Sequence, residues 1–241
     1  MRALITRPRA DADALALALE SRGLEIMLEP LLDIRPIPGA AADLSGVQAI
    51  LVTSANGIRA LASTSARRDL PVWAVGDATA GEARNLGFDR VESAGGDVES
   101  LIALVTARVD RAGGILLHPS AHDVAGELAA LLTGRGFAVR RCLLYEARPA
   151  KSFTPQLIEA WRARRIDIAL FFSPRTAATF VRLARSAGLD GAGVSAYALS
   201  PAVAGTLASL PWGAVRVAGQ PTQEALLAAI DADIAARPAA N

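Results

Sequence analysis

The stretch Leu51–Leu61, LVTSANGIRAL, decides how the chain is read. An apolar run ends in Thr53-Ser54-Ala55-Asn56-Gly57, and helix-spaced apolar residues follow. The pattern predicts a buried strand, a small polar turn and a helix N-terminus. Ser54 or Asn56 suits the cap position, and the backbone N–H groups of such a turn face any anion placed above it. One such turn is common in α/β proteins. A second, LFFSPRTAATFVRL over Leu170–Leu183, sets Ser173 on Ser54 and invites a comparison of the chain with itself.

Three segments repeat in the same order. ALITRPRADADALALALESRG from Ala3 resembles ILLHPSAHDVAGELAALLTGRG from Ile115, with Gly23 on Gly136. LVTSANGIRAL resembles LFFSPRTAATF. VWAVGDATAGEARNLG from Val72 resembles SAYALSPAVAGTLASL from Ser195, with Gly76 on Ser200 and Ala80 on Ala204.

Around these anchors, strands are predicted at Ala3–Thr6, Leu24–Leu28, Val47–Val52, Val72–Val75, Asp89–Glu92, Ile115–Leu117, Ala138–Leu144, Ile166–Phe172, Val194–Leu199 and Ala214–Ala218. One helix lies between Arg7-Pro8-Arg9 and Gly23. Others are predicted near Gly57–Ser63, Ala78–Asn85, Val98–Val109, Val124–Thr133, Thr176–Ser186, Ala202–Ala208 and Gln223–Ala235, with a frayed tail at Arg237–Asn241. Prolines at 30, 36 and 38 force an extended crossing after the second strand, and Leu143–Pro149 resembles it. Apolar strands alternating with helices imply parallel sheets covered on both faces. The expected architecture is two similar α/β domains, one inserted into the other. Residues 1–34 and 150–241 form a discontinuous first domain and 40–144 a second, with 35–39 and 145–149 as two linker strands that would pair as a hinge.

The bulk composition excludes several function classes. The chain has 241 residues, is 52% apolar and 20% charged, and carries a formal charge of +1, which argues against an electrostatic nucleic-acid binder. Its one cysteine, Cys142, leaves no internal disulfide or thiolate metal cluster. No apolar run approaches the ~20 residues a membrane span needs, and the N-terminus reads as a strand and not an export signal. A cytoplasmic monomer is expected, with neither nucleic acid nor membrane as partner.

Ligands of parallel α/β sheets bind outside the carboxyl ends of the strands. The turns there are alike: Thr6-Arg7-Pro8, Thr53 to Asn56, Gly76 to Thr79, Gly95-Gly96-Asp97, His118-Pro119-Ser120, Ser173-Pro174-Arg175-Thr176, Ser200-Pro201 and Gln220-Pro221-Thr222. Two such edges facing across a hinge would line a cleft with hydroxyls, N–H groups and helix N-termini, a surface for a ligand with several carboxylates or phosphates. Each turn taken alone is equally a helix cap. GxSxG, P-loop and GxGxxG motifs are absent. His118 and His122 have a metal-compatible spacing but read better as a surface pair, and Asp77 and Asp97 read as caps. Tyr145, in the second crossing, is either a cleft phenol that donates a proton or an amphipathic linker residue.

Taken together, the chain resembles the uroporphyrinogen-III synthase family along essentially its whole length. The resemblance is carried by Thr6-Arg7-Pro8, Glu29-Pro30-Leu31, Thr53-Ser54-Ala55-Asn56, Val75-Gly76 with Thr79-Ala80, Leu143 to Tyr145, Phe172-Ser173-Pro174 and Pro221-Thr222. It implies two flavodoxin-like domains joined by a two-stranded ladder. It also implies a reaction that closes hydroxymethylbilane into uroporphyrinogen III with inversion of ring D, without metal or organic cofactor, and transient contact with the preceding pathway enzyme. By the same resemblance Tyr145 assists loss of the substrate hydroxyl. Substrate contacts are expected from Thr6, Arg7, Ser54, Ala55, Asn56, Gly76, Thr79, Ser120, Ser173, Pro174, Arg175, Thr176, Ser200 and Thr222. Two departures stand out: Ser200-Pro201-Ala202-Val203-Ala204 lacks a threonine hydroxyl at Val203, and His118-Pro119-Ser120 replaces an Arg-Gly-like turn. The competing readings are a non-catalytic two-domain sensor and a two-domain nucleotide-sugar transferase.

Overall fold

A computed structural model describes residues 1–121 and 127–236. The chain opens with β1 (Arg2–Ile5), a 3-10 turn at Arg9–Asp11, α1 (Asp13–Glu20) and β2 (Glu25–Leu28), then passes through β3 (Leu32–Pro36). Next come β4 (Val47–Val52), α2 (Ala55–Thr64), β5 (Val72–Ala74), α3 (Asp77–Asn85), β6 (Val91–Ser93), α4 (Val98–Arg108), β7 (Ile115–Ala121) and α5 (Glu127–Thr133). After β8 (Ala138–Pro149) follow α6 (Pro155–Arg162), β9 (Ile168–Phe171), α7 (Pro174–Ala187), β10 (Gly191–Ala198), α8 (Pro201–Leu207), β11 (Trp212–Val217) and α9 (Gln223–Ala235). Two compact units result, Met1–Asp33 with Arg148–Asn241, and Ile34–Ala147.

The first unit carries a parallel sheet in the order β2-β1-β9-β10-β11. Counted along the chain this is the flavodoxin-like winding, which places the ligand edge at the carboxyl ends of its inner strands. The inner strands β1 and β9 are buried on both faces, so they read as short apolar runs, whereas the edge strands β2 and β11 are partly exposed. On one face Leu4, Ala169, Phe171 and Ala196 pack under Leu157, Trp161 and Phe180 of α6 and α7. On the other, Ala3, Ile5, Ile168 and Leu170 pack under Leu15 and Leu19 of α1 and Leu226 and Ile230 of α9.

The second unit's sheet runs β3-β8-β7-β4-β5-β6, and its strands from β8 to β6 are parallel. One face buries Ile50, Val52 and Leu117 under Ile58 and Leu61 of α2 and Ala80 and Ala83 of α3. The opposite face buries Leu51, Trp73 and Leu116 under Leu101, Ile102 and Val105 of α4 and Leu128 and Leu132 of α5. β3 runs against β8: Ile37 N–H donates to Leu144 O at 2.9 Å, and Ala150 N–H to Leu31 O at 2.9 Å.

Several expectations need correction. The strand at Ala138–Leu144 and the crossing at Leu143–Pro149 are one twelve-residue strand, β8. The ladder to β7 passes through a register shift between Leu143 and Tyr145 without ending, and proline, which cannot donate to a ladder, appears only at the end of β8. Helix α6 has no counterpart among the helices predicted from sequence. Its signals were a Thr154 cap, accepting from Leu157 N at 3.2 Å, and Pro155 in the first turn. His118-Pro119-Ser120 is not a turn opening a helix but part of β7, because the β8 ladder carries on to Ala121↔Tyr145 after the β4 ladder has stopped at Leu117. Asp77 is not a cap; extended Gly76 takes that position without a side-chain bond, whereas Asp97 does cap α4, accepting from Ser100 N at 2.9 Å. His122, residues 124–126 at the start of the helix predicted up to Thr133, and the tail Arg237–Asn241 lie outside the described residues. No described helix is long and apolar enough to cross a membrane.

Candidate functional site

At the carboxyl edge of the second unit, β4 delivers Thr53 and Ser54 to the start of α2. Ser54 is extended (φ −158°, ψ 154°), and its Oγ accepts from Gly57 N at 3.3 Å, so it is the cap that the short polar turn predicts. The same Oγ lies 3.1 Å from Tyr145 Oη. Tyr145 is only 6% exposed and pairs in register with Ala121 at the end of β7. Two side chains separated by most of the second unit's chain therefore share one hydrogen bond, which no sequence spacing foretells. Ala55 and Asn56 are half-buried in the first turn of α2. Gly76 caps α3 from an extended backbone, and Thr79 behind it is buried.

The end of β7 lies beside this hydroxyl pair. His118 is 1% exposed, which overturns its reading as one of a surface pair. By strand alternation His118 and Ser120 share the Leu116 face of β7, and every residue of β7 after Ile115 is buried. The imidazole Nε2 is 3.4 Å from Thr53 Oγ1. Burial, with Arg141 opposite it on β8, pushes the His118 pKa down to about 4, so the ring is neutral near pH 7. His118 Nδ1 and Ser120 Oγ are both buried without a hydrogen-bond partner. No cluster of three or more metal-ligating side chains occurs among the described residues.

The carboxyl edge of the first unit is built differently. Thr6, fully buried, donates to Leu170 O at 2.7 Å and so joins the end of β1 to its neighbour β9. The Arg7 guanidinium stands 4.3 Å over the Phe172 ring and donates to Gln223 Oε1 at 3.0 Å. Ser173 caps α7, accepting from Thr176 N at 3.2 Å, and its hydroxyl also meets Thr176 Oγ1 at 2.9 Å. Pro174 is exposed and Arg175 half-buried in that first turn. Ser200 caps α8, accepting from Val203 N at 3.4 Å, and Thr222 caps α9, accepting from Ala225 N at 3.2 Å. Fixed guanidinium and helix N-termini suit carboxylates.

The fold has known counterparts. A family model described as HEM4, uroporphyrinogen-III synthase HemD, matches residues 13–228. No curated protein matches the chain. Among solved structures, a uroporphyrinogen-III synthetase from Helicobacter pylori superposes with a TM-score of 0.64 at 17% identity, covering 98% of this chain and 100% of that one. A mutant uroporphyrinogen III synthase from Thermus thermophilus gives a TM-score of 0.59 at 17% identity, with 98% and 100% covered. At such identity the two structures speak for the fold, while the family match spans most of the sequence. The chain belongs to the uroporphyrinogen-III synthase family, a family of lyases.

Proposed function

We propose that this member of the family closes hydroxymethylbilane into uroporphyrinogen III with inversion of ring D, and that Tyr145 is its catalytic proton donor. The observation that carries the reading is the Ser54–Tyr145 hydroxyl pair, 3.1 Å apart at the N-terminus of α2. Ser54, itself accepting from Gly57 N, shares a hydrogen bond with Tyr145 Oη and holds the phenol in place. The phenol proton passes to the substrate's departing hydroxyl, which leaves as water.

Loss of that hydroxyl, with the pyrrole N–H proton returning to the phenolate, gives an electrophilic azafulvene. Left alone it closes on the unsubstituted carbon of ring D and yields the type I isomer. The type III isomer requires attack by the substituted carbon, giving a spiro intermediate that rearranges. The main requirement is to fold the bilane and exclude water, for which a large acid–base array is unnecessary. In this reading the carboxyl edges of the strands bind the bilane. The bilane carboxylates meet Arg7 and Arg175, the hydroxyls of Thr79, Ser120, Ser173, Thr176, Ser200 and Thr222, and the backbone around Thr6, Ser54, Ala55, Asn56, Gly76 and Pro174. Arg7, held by Phe172 and Gln223, has the fixed geometry such recognition favours.

The chemistry as written calls on no metal or organic cofactor. The same reading has the enzyme cytoplasmic and monomeric, taking the labile bilane from the enzyme that makes it. The test is incubation with enzymatically generated hydroxymethylbilane, then isomer analysis of the oxidised product. Mostly type III uroporphyrin is expected. Type I alone, as in the enzyme-free control, overturns the proposal.

A further inference from the structure

His118 is a buried histidine with an unmatched nitrogen, and packing does not explain it. An apolar side chain would fill the same space on the Leu116 face without leaving a buried polar atom unpaired. Its position suggests what it does. The end of β7 lies between the two halves of the hydroxyl pair. On one side it meets the β4–α2 turn, through His118 Nε2 to Thr53 Oγ1 at 3.4 Å. On that side too the Pro119 carbonyl presses on Gly57, where a Cβ would stand 2.8 Å from the oxygen. On the other side Ala121 pairs in register with Tyr145. Ser54 sits one residue beyond Thr53 and three before Gly57, so β7 grips the turn on both sides of the serine.

We infer that His118 is a positioning residue for the reaction, holding Thr53, and through it the Ser54 hydroxyl, against Tyr145. The inference rests on the proposed role of that hydroxyl pair. A neutral ring is well matched to this role, because in either tautomer one nitrogen donates and the other accepts, so Thr53 can be engaged whichever way its hydroxyl turns. An imidazolium would offer only donors. Burial and the Arg141 charge opposite both disfavour that form. A 1 Å misplacement of a reacting group loses about 100-fold in rate, and releasing the Thr53 contact loosens the pair by less.

The test uses the full-length enzyme with hydroxymethylbilane. His118→Leu and Thr53→Val are each expected to lower kcat about tenfold while KM stays within about twofold, the split expected of a lost positioning contact. His118→Gln, whose amide reaches the Nε2 position, is expected to recover most of that loss. In a Tyr145→Phe background, His118→Leu is expected to change kcat less than about twofold, because the pair it positions is already gone. Should His118→Leu fail to fold, Thr53→Val and His118→Gln carry the test. Wild-type kcat in Thr53→Val, or full additivity with Tyr145→Phe, overturns the inference. Failure of the wild-type enzyme to make type III product is a separate result, which overturns the proposed function instead.

Discussion

The two sheets share one spatial order but are assembled from different pieces of chain. β2-β1-β9-β10-β11 in the first corresponds to β8-β7-β4-β5-β6 in the second. The sequence repeats match β1 with β7, β9 with β4 and β10 with β5, so each sheet takes its opening pair of strands from one repeat and the rest from the other. Against that common frame the carboxyl edges differ. Where β1 ends, Thr6 is fully buried and donates to Leu170 O at 2.7 Å. Where β7 ends, the matching residue is His118, 3.4 Å from Thr53 Oγ1 and with Nδ1 unmatched. The first edge uses its polar residue to close the sheet and presents Arg7 on Phe172. The second keeps buried hydrogen-bonding capacity next to a phenol. In the proposed reading one edge holds carboxylates and the other handles a proton.

That contrast is most exposed to acid. A histidine buried neutral has a folded pKa, about 4, below its unfolded value near 6.5. The unfolded state therefore binds more protons between those values, and the associated stability is present above about pH 6.5 and lost as pH falls towards 4. Urea melts of wild type and His118→Leu are expected to diverge, the variant gaining up to about 3 kcal/mol on wild type between pH 7 and 4.5. A constant gap across that range would mean that His118 titrates normally. Thr6 gives the other edge no such term.

Gly57→Ala pushes a methyl into the Pro119 carbonyl at 2.8 Å and is expected to destabilise the protein by about 2 kcal/mol. Stability equal to wild type would show that β7 does not brace the turn. Tyr145→Phe should leave the melting temperature within a few degrees while kcat falls about tenfold, roughly 1.4 kcal/mol of barrier. Unchanged turnover would return Tyr145 to a structural role in β8. The smallest effects compare the two caps. Ser54→Ala and Ser173→Ala should each lower stability by about 1 kcal/mol, since each loses one cap bond to an N–H three residues on. Only Ser54→Ala is expected to lower kcat further than KM changes, because Ser54 alone of the two also bonds a phenol. Equal kinetics for both would erase the functional difference between the edges.

Family membership favours the lyase reading over the sensor and transferase alternatives, which the same strand–helix rhythm also allowed. What was legible followed from local rules. Ser54, Ser173, Ser200 and Thr222 are caps because a side-chain oxygen meets an N–H three residues on, a relation contained in a few consecutive residues. Helix α6 carried the same signal at Thr154-Pro155, but its position just after an extended crossing obscured it. His118 misled because a proline beside a histidine reads as a turn, while the β8 ladder that extends β7 is contributed by residues far along the chain.

Sequence by itself determined the alternation of strand and helix, the duplicated halves and the caps, because hydrophobic period and capping are properties of short windows. Only the tertiary structure decided that Ser54 meets Tyr145, that Thr53 meets His118 and that His118 lies buried. Those facts depend on which strands become neighbours. Strand order in a parallel sheet is set by how whole helices pack on its faces, so it cannot be read from any one stretch, LVTSANGIRAL included.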